Sequence, residues 1–486
     1  MSPQSPLQPV PAGPVHAVGC ACTQPWLRTI TQRLEQDLSR RASQGGASEV
    51  TAAFALPLEP TRVRPQVLDR PLLLRNLRLF DGRSPELREG VSVLVRGNRI
   101  EALVGAGEAV AEARTLDCGG RTVMPGLIDA HWHATLAGIS QAAALTADSG
   151  YLHIKAALEA ERTLLRGFTT VRDVGGPVFA LKRAIDEGIT AGPRIFPSGS
   201  MLSQTSGHGD FRRRYELPRT GMTPPSRVES LGAAVIADGV DEVLRRTREQ
   251  LMLGASQIKL LAGGGVTSSY DPLDTLQYSE AELRAAVGAA SDWGTYVTVH
   301  VYTARGIQRA IAAGVRCIEH GQLTDEETVR LIADQGVWWS LQPFLDDEDA
   351  NQYAEPERQA AMRQVAQGTE RAYTLARKHG VRLGFGTDIL FSPEGASRQG
   401  AHLAKLTRWF EPLDVVRQAT SRNAELLQLS GPRAPYAGPL GVIEPGALAD
   451  VLVVDGDPTR DVSLLARPEQ TLRVIIKDGK LYKNTL

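Results

Sequence analysis

Cysteine is scarce in this chain: 486 residues carry only Cys20, Cys22, Cys118 and Cys317. So few exclude a disulfide-stapled scaffold. Cys20 and Cys22 form a C-x-C pair, but no second Cys or His pair stands near enough to complete a zinc site, so they read as two free thiols. No apolar run reaches the roughly 18 residues that a transmembrane helix needs. Excess charge is missing too. Lys+Arg number 54 against 55 Asp+Glu, a net charge of −1, which gives no electrostatic reason to expect nucleic acid or an anionic membrane as partner. Arg28, Arg33, Arg40 and Arg41 hint at a targeting segment, yet the apolar stretch that should follow such charges is absent. A cytoplasmic protein acting on a small molecule is the expectation.

Hydrophobic residues make up 42% and charged residues 22%, as in an ordinary globular protein. Residues 1–69 are rich in Pro, Gln, Ser and Ala and carry a helical pattern only over residues 26–41, so they read as a partly flexible N-terminal extension. From Leu72 the texture changes to short strands split by Gly and Asp turns, and the same texture returns after Asp450. Two β segments at opposite ends predict one small β-sandwich domain built from 70–122 and 433–486. Between them, 123–432 alternates apolar runs with amphipathic helical patterns such as 304–313 and 326–334. The runs cover 123–133, 169–174, 194–198, 257–262, 296–301, 317–321, 338–342 and 382–388. Eight of them fit an α/β fold of the TIM-type (β/α)8 barrel, although a doubly wound sheet also alternates. No internal repeat of fixed period is present.

Polar residues gather at the ends of these runs. His131 and His133 end the first, Lys259 lies in the fourth, His300 ends the fifth, His320 the sixth and Asp388 the eighth. In a barrel, the C-terminal strand ends converge on one mouth, so residues scattered in sequence become one cluster. His131-Trp132-His133 has strand spacing: i and i+2 point the same way, and two imidazoles can share a metal. The N/O donor set suits Zn²⁺ and also Mn²⁺, Co²⁺ or Ni²⁺. Lys259 is the oddity, because a bare ammonium inside a barrel beside cations is costly. A carbamate formed with CO2 removes that charge and offers two oxygens; a Lys paired with an acid at the rim is the alternative. His208 sits in a Gly-rich loop, as a carbonyl contact or as a solvated loop residue. Tyr302 lies two residues past His300, as a site contact or as packing.

The stretch Met124-Pro-Gly-Leu-Ile-Asp-Ala-His-Trp-His resembles the PGLIDxHxH signature of amidohydrolases. His300-Val-Tyr-Thr, Ile318-Glu-His-Gly, Phe385-Gly-Thr-Asp and Pro445-Gly-Ala-Leu-Ala-Asp-Val-Leu-Val resemble its later motifs. From about residue 70 onward the chain resembles the amidohydrolase superfamily. Within it, Gly207-His208-Gly209-Asp210 and Lys259-Leu-Leu-Ala-Gly-Gly-Gly-Val resemble the imidazolonepropionase-related, Xaa-Pro dipeptidase-like and ochratoxinase-like branch. The resemblance implies that His131, His133 and Asp388 hold one metal and His300 and His320 another, with carboxylated Lys259 as bridge. Single-metal members lack that Lys, so two divalent ions per chain are expected, zinc first.

The implied activity is hydrolysis of an amide or peptide C–N bond, in a dipeptide or N-acyl amino acid, by a water activated between the ions. Asp388 would serve as general base and then acid. His208 would assist catalysis and, with Tyr302, contact the substrate. The resemblance also implies a homo-oligomer. Cyclic-amide or aryl-ester hydrolysis is the nearest alternative. Lys259 argues against a deaminase, and the complete ligand set argues against a non-catalytic scaffold. No Ser lies in a nucleophile elbow, and Cys317 begins its run at the wrong end.

Overall fold

The computed structural model describes residues 63–217, 223–268 and 270–486. The chain divides into two units, Met1–Arg62 and Val63–Leu486, and the second is described below. The expected helix over 26–41 and the Cys20/Cys22 pair lie outside the described residues.

Both ends of the unit do build one sheet. It contains β1 (Leu72–Leu79), β2 (Val91–Arg96), β3 (Arg99–Gly105) and β4 (Arg114–Pro125). From the far end come β15 (Val451–Val454), β16 (Leu472–Lys477) and β17 (Lys480–Asn484). Hydrogen bonding runs unbroken through seven strands, in the order β17-β16-β15-β4-β1-β2-β3. The joint is β4. It pairs with β1 over Arg114–Val123 and with β15 over Thr122–Pro125. Alternate residues such as Leu72, Leu74, Val93, Val95, Val451 and Val453 share one buried cluster, the period-two pattern of strands. Gln66 exchanges backbone hydrogen bonds with Leu481 at 2.8 and 3.1 Å, so pairing begins ahead of residue 70.

The first apolar run therefore serves two sheets. Residues 123–125 pair with β15, and a parallel strand, β5 (Leu127–Trp132), starts after Gly126. Gly126 is needed at the crossing, because a Cβ there would lie 2.0 Å from Thr169 Oγ1. β5 pairs in parallel with β6 (Phe168–Asp173), which pairs with β7 (Arg194–Pro197). The second parallel sheet holds β8 (Met201–Ser203), β9 (Ala234–Ile236), β10 (Ile258–Leu261), β11 (Val297–Thr303), β12 (Cys317–Leu323), β13 (Trp338–Leu341) and β14 (Leu383–Phe385). Their order is β14-β13-β12-β11-β10-β8-β9. β7 is the third run; β8, which the sequence did not show, follows it across Gly199 (φ +74°), and β7 meets β6 while β8 meets β10.

The first and last parallel strands also meet. Asp388 N–H donates to the His131 carbonyl at 2.8 Å, and the Asn423 amide donates to the Ile128 and Phe385 carbonyls at 2.7 Å each. These strands are buried on both faces, which explains their continuous apolar runs. The helices between them are amphipathic: Glu326–Asp334 buries Thr328, Val329 and Ile332, and Asp325 caps it by accepting from Thr328 N–H.

Candidate metal centre

The C-terminal strand ends bring the sequence-predicted residues together. His131, His133, Lys259, His300, His320 and Asp388 line one cavity of about 50 Å³, with His208 and Tyr302 in the same wall. Trp132 turns the other way and packs with Val171, Val178 and Ile195, as the His-x-His alternation predicts.

Hydrogen bonds fix which nitrogen each histidine presents. His131 Nδ1 lies 2.7 Å from Glu319 Oε2, His133 Nδ1 lies 2.8 Å from the Gly175 carbonyl, and His300 Nε2 lies 3.1 Å from the Gly264 carbonyl. A carbonyl and a carboxylate only accept, so each of these nitrogens carries the proton and the opposite nitrogen is a lone-pair donor. Those of His131 and His133 then face Asp388 Oδ1, at 3.0 and 3.2 Å. His320 Nδ1 is 3.9 Å from Asp388 Oδ2 and is buried without a hydrogen-bond partner. A lone pair pointing at a carboxylate is repelled by it, so each such contact calls for a proton or a metal cation between the two atoms. Donor atoms of His131, His320 and Asp388 all lie within 4.8 Å of one another. The set fits a divalent ion.

The backbone is strained at two of these positions. His320 and Asp388 have φ of +74° and +53°, left-handed values that non-glycine residues rarely adopt and that cluster at functional sites. Trp339 Nε1 donates to the His320 carbonyl at 2.5 Å, and the Asp388–His131 backbone bond described above holds the other.

Burial and neighbouring charge set the protonation of the cluster. Burial drives His300 and His320 well below the usual imidazole range, which leaves both neutral. Burial works against a charged Asp388, but the surrounding imidazoles, His131 first, hold its carboxyl well below the usual range. Lys259 is 2% exposed. Burial lowers its pKa, with Arg172 adding repulsion, against the pull of Glu319 and Asp388. Among the described residues it has no acid within ion-pair distance of 4.0 Å, so the rim-pair alternative for Lys259 loses its partner.

His208 is not solvated: its side chain is 12% exposed and its Nδ1 is 3.0 Å from Asp271 Oδ2. Tyr302 packs edge-on to His300, with ring centroids 5.1 Å apart. Sequence reasoning missed Glu319 and Arg172. Both are wholly buried, paired at 2.5 Å, and Glu319 orients His131. A visible signal existed, namely opposite charges embedded in two strands buried along nearly their whole length. Asp129 was missed as well; it accepts from His131 N–H at 3.0 Å and from Thr387 Oγ1 at 2.7 Å.

The amidohydrolase family model matches residues 122–481, the whole of the parallel-strand region with its ligand cluster. The chain belongs to the amidohydrolase family. It is 33% identical over 381 residues to ochratoxinase from Aspergillus niger, covering 74% of this chain and 75% of the relative. The crystal structure of an amidohydrolase, 38% identical, superposes with a TM-score of 0.77 over 86% of this chain and 100% of the other. A prolidase solved in complex with N-methylphosphonate-L-proline is 35% identical, with a TM-score of 0.78 over 85% and 100%. This amidohydrolase is thus an enzyme that hydrolyses C–N bonds, and its structural neighbours imply the (β/α)8 barrel. Among the described residues no helix is long and apolar enough to cross a membrane.

Proposed function

We propose that this amidohydrolase cleaves the amide next to a C-terminal amino acid, in a dipeptide or N-acyl amino acid, with two divalent ions held at the mouth of a closed barrel. The observation that carries this reading is the convergence of pinned imidazole lone pairs on Asp388, beside a buried Lys259 without an acid partner. His131, His133 and Asp388 would hold one ion, His300 and His320 the other, and Lys259, carboxylated by CO2, would bridge them. Zinc suits these donors best, with manganese, cobalt or nickel as substitutes. When bound, the ions supply Lewis-acid pull on the scissile carbonyl and lower the pKa of water.

The chain's own residues do the rest. Asp388 takes the proton of the attacking water and returns it to the leaving nitrogen. Tyr302 donates its phenolic O–H to a substrate oxygen, and a ring nitrogen of His208 contacts the substrate. Phe211, Phe344, Tyr353 and Met362 line the same cavity and favour an apolar substrate side chain. We place the enzyme in the cytoplasm as a homo-oligomer.

The test is a panel of apolar dipeptides and N-acyl amino acids, with lactams and aryl esters, on Zn- and Mn-loaded enzyme. An ochratoxin belongs in the panel because a relative is named for it. Cleavage of carboxylate-ended amides supports the reading, and Asp388→Asn should lower kcat on them roughly 10²-fold or more. Turnover confined to lactams or aryl esters would replace it with the cyclic-amide or esterase reading.

A further inference from the structure

We infer that Asp271, helped by Ser268, is a positioning residue for His208: it keeps the proton on Nδ1 and leaves Nε2 as the ring nitrogen free to meet substrate. The inference rests on the reading above in which His208 contacts substrate.

His208 follows β8, and Asp271 lies in the loop after β10. His208 Nδ1 is 3.0 Å from Asp271 Oδ2 and 2.6 Å from Ser268 Oγ. Ser268 Oγ also lies 2.5 Å from Asp271 Oδ1. A carboxylate only accepts. Ser268 therefore spends its hydroxyl proton on Oδ1, and Nδ1–H is shared between Oδ2 and the serine oxygen. Among the described residues, the one hydrogen-bond contact of Nε2 is Thr267 Oγ1, at 3.4 Å.

The ring is held as firmly as its tautomer. It stacks on His300 with centroids 4.1 Å apart and planes 15° from parallel. It also lies so close to Gly265 that a Cβ there would fall 2.0–2.7 Å from ring atoms. The Asp271 side chain is fully buried, and Oδ2 also accepts the Gly265 N–H at 2.8 Å. One carboxylate thus fixes both His208 and the glycine it lies against. The main chain of His208 is tied at both ends, its N–H donating to Gln277 Oε1 at 2.8 Å and its carbonyl accepting from Ser203 Oγ at 2.6 Å. A residue that only filled space would need none of this.

The experiment compares Asp271→Ala, Asp271→Asn, His208→Ala and the Asp271→Ala/His208→Ala double variant. Readouts are kcat and KM on an N-acyl amino acid, metal content, and the Nδ1–H resonance of ¹⁵N-histidine-labelled enzyme. Asp271→Ala should keep its metal, lose the His208 Nδ1–H signal and drop kcat/KM roughly tenfold to hundredfold, as for a lost charge-assisted hydrogen bond. Asp271→Asn, whose amide oxygen still accepts, should recover part of the rate. In the His208→Ala background, Asp271→Ala should cost nothing further. Wild-type kinetics in Asp271→Ala, or an equal loss without His208, would overturn the inference. Wild-type kinetics in His208→Ala would instead sink the substrate-contact role, and the resonance would still decide the positioning. If Asp271→Ala does not fold, Ser268→Ala takes its place, with a smaller loss expected only when His208 is present.

Discussion

Changing Glu319 to Gln tests how far the metal site depends on what lies behind it. Glu319 is wholly buried. It accepts from Arg172 Nη2 at 2.5 Å, from His131 Nδ1 at 2.7 Å and from the Thr298 hydroxyl. All three are donors. A Gln amide must turn its NH2 toward one of them and leaves Arg172, also wholly buried, without a counter-charge. Breaking a buried ion pair from one side costs about 3–5 kcal/mol. Loosening a group that orients a metal-binding histidine costs roughly 10–100-fold in metal affinity. Unfolding of the metal-free protein by urea reads the first number, and competition with a chromophoric chelator reads the second. The double variant Arg172→Met/Glu319→Leu separates them. It removes both charges and should regain much of the stability, while His131 stays unpinned and metal binding stays weak. Metal affinity within twofold of wild type in Glu319→Gln, or affinity that returns together with stability in the double variant, would refute the argument.

Lys259→Ala should lose metal and activity together, from about two ions per chain by elemental analysis; a variant with full metal and full rate would end the bridging role. Tyr302→Phe should cost roughly tenfold to hundredfold in kcat/KM on a carboxylate-ended amide, and much less on the matching substrate without the carboxylate. Equal losses on both would show that Tyr302 does not read that group. Lys477 offers a pH test away from the site. It is 5% exposed, and burial, with Arg194 adding repulsion, pushes its pKa down to about 8. A folded pKa below the unfolded value means that the folded state gives up its proton first, so this penalty is fully present below pH 8 and fades as pH rises toward the unfolded value of about 10.4. Lys477→Met should therefore raise stability by about 3 kcal/mol at pH 7 and by much less near pH 10; a gain independent of pH, measured by urea unfolding, would contradict this.

The positions of most parallel strands and the polar residues at their ends were legible in the sequence alone. Both follow from rules that a linear chain carries: strands alternate every second residue, buried parallel strands read as apolar runs, and parallel connections bring all C-terminal ends to one side. His131, His133, His300, His320, Lys259 and Asp388 could be picked out on that basis. The short strands β8 and β9 were not legible, because three residues carry too little periodicity to register. Nor could the sequence tell that residues 123–125 belong to the terminal sheet, since an apolar run does not name the strand it will pair with. The same limit hid the partners of the ligands. His133 and Asp388 meet across 255 positions, His131 and Glu319 across 188, and His208 and Asp271 across 63. Periodicity is written residue by residue, but which buried donor finds which acceptor is decided only when neighbouring strands and their loops have closed around one site, where an unpaired polar group is too costly to keep.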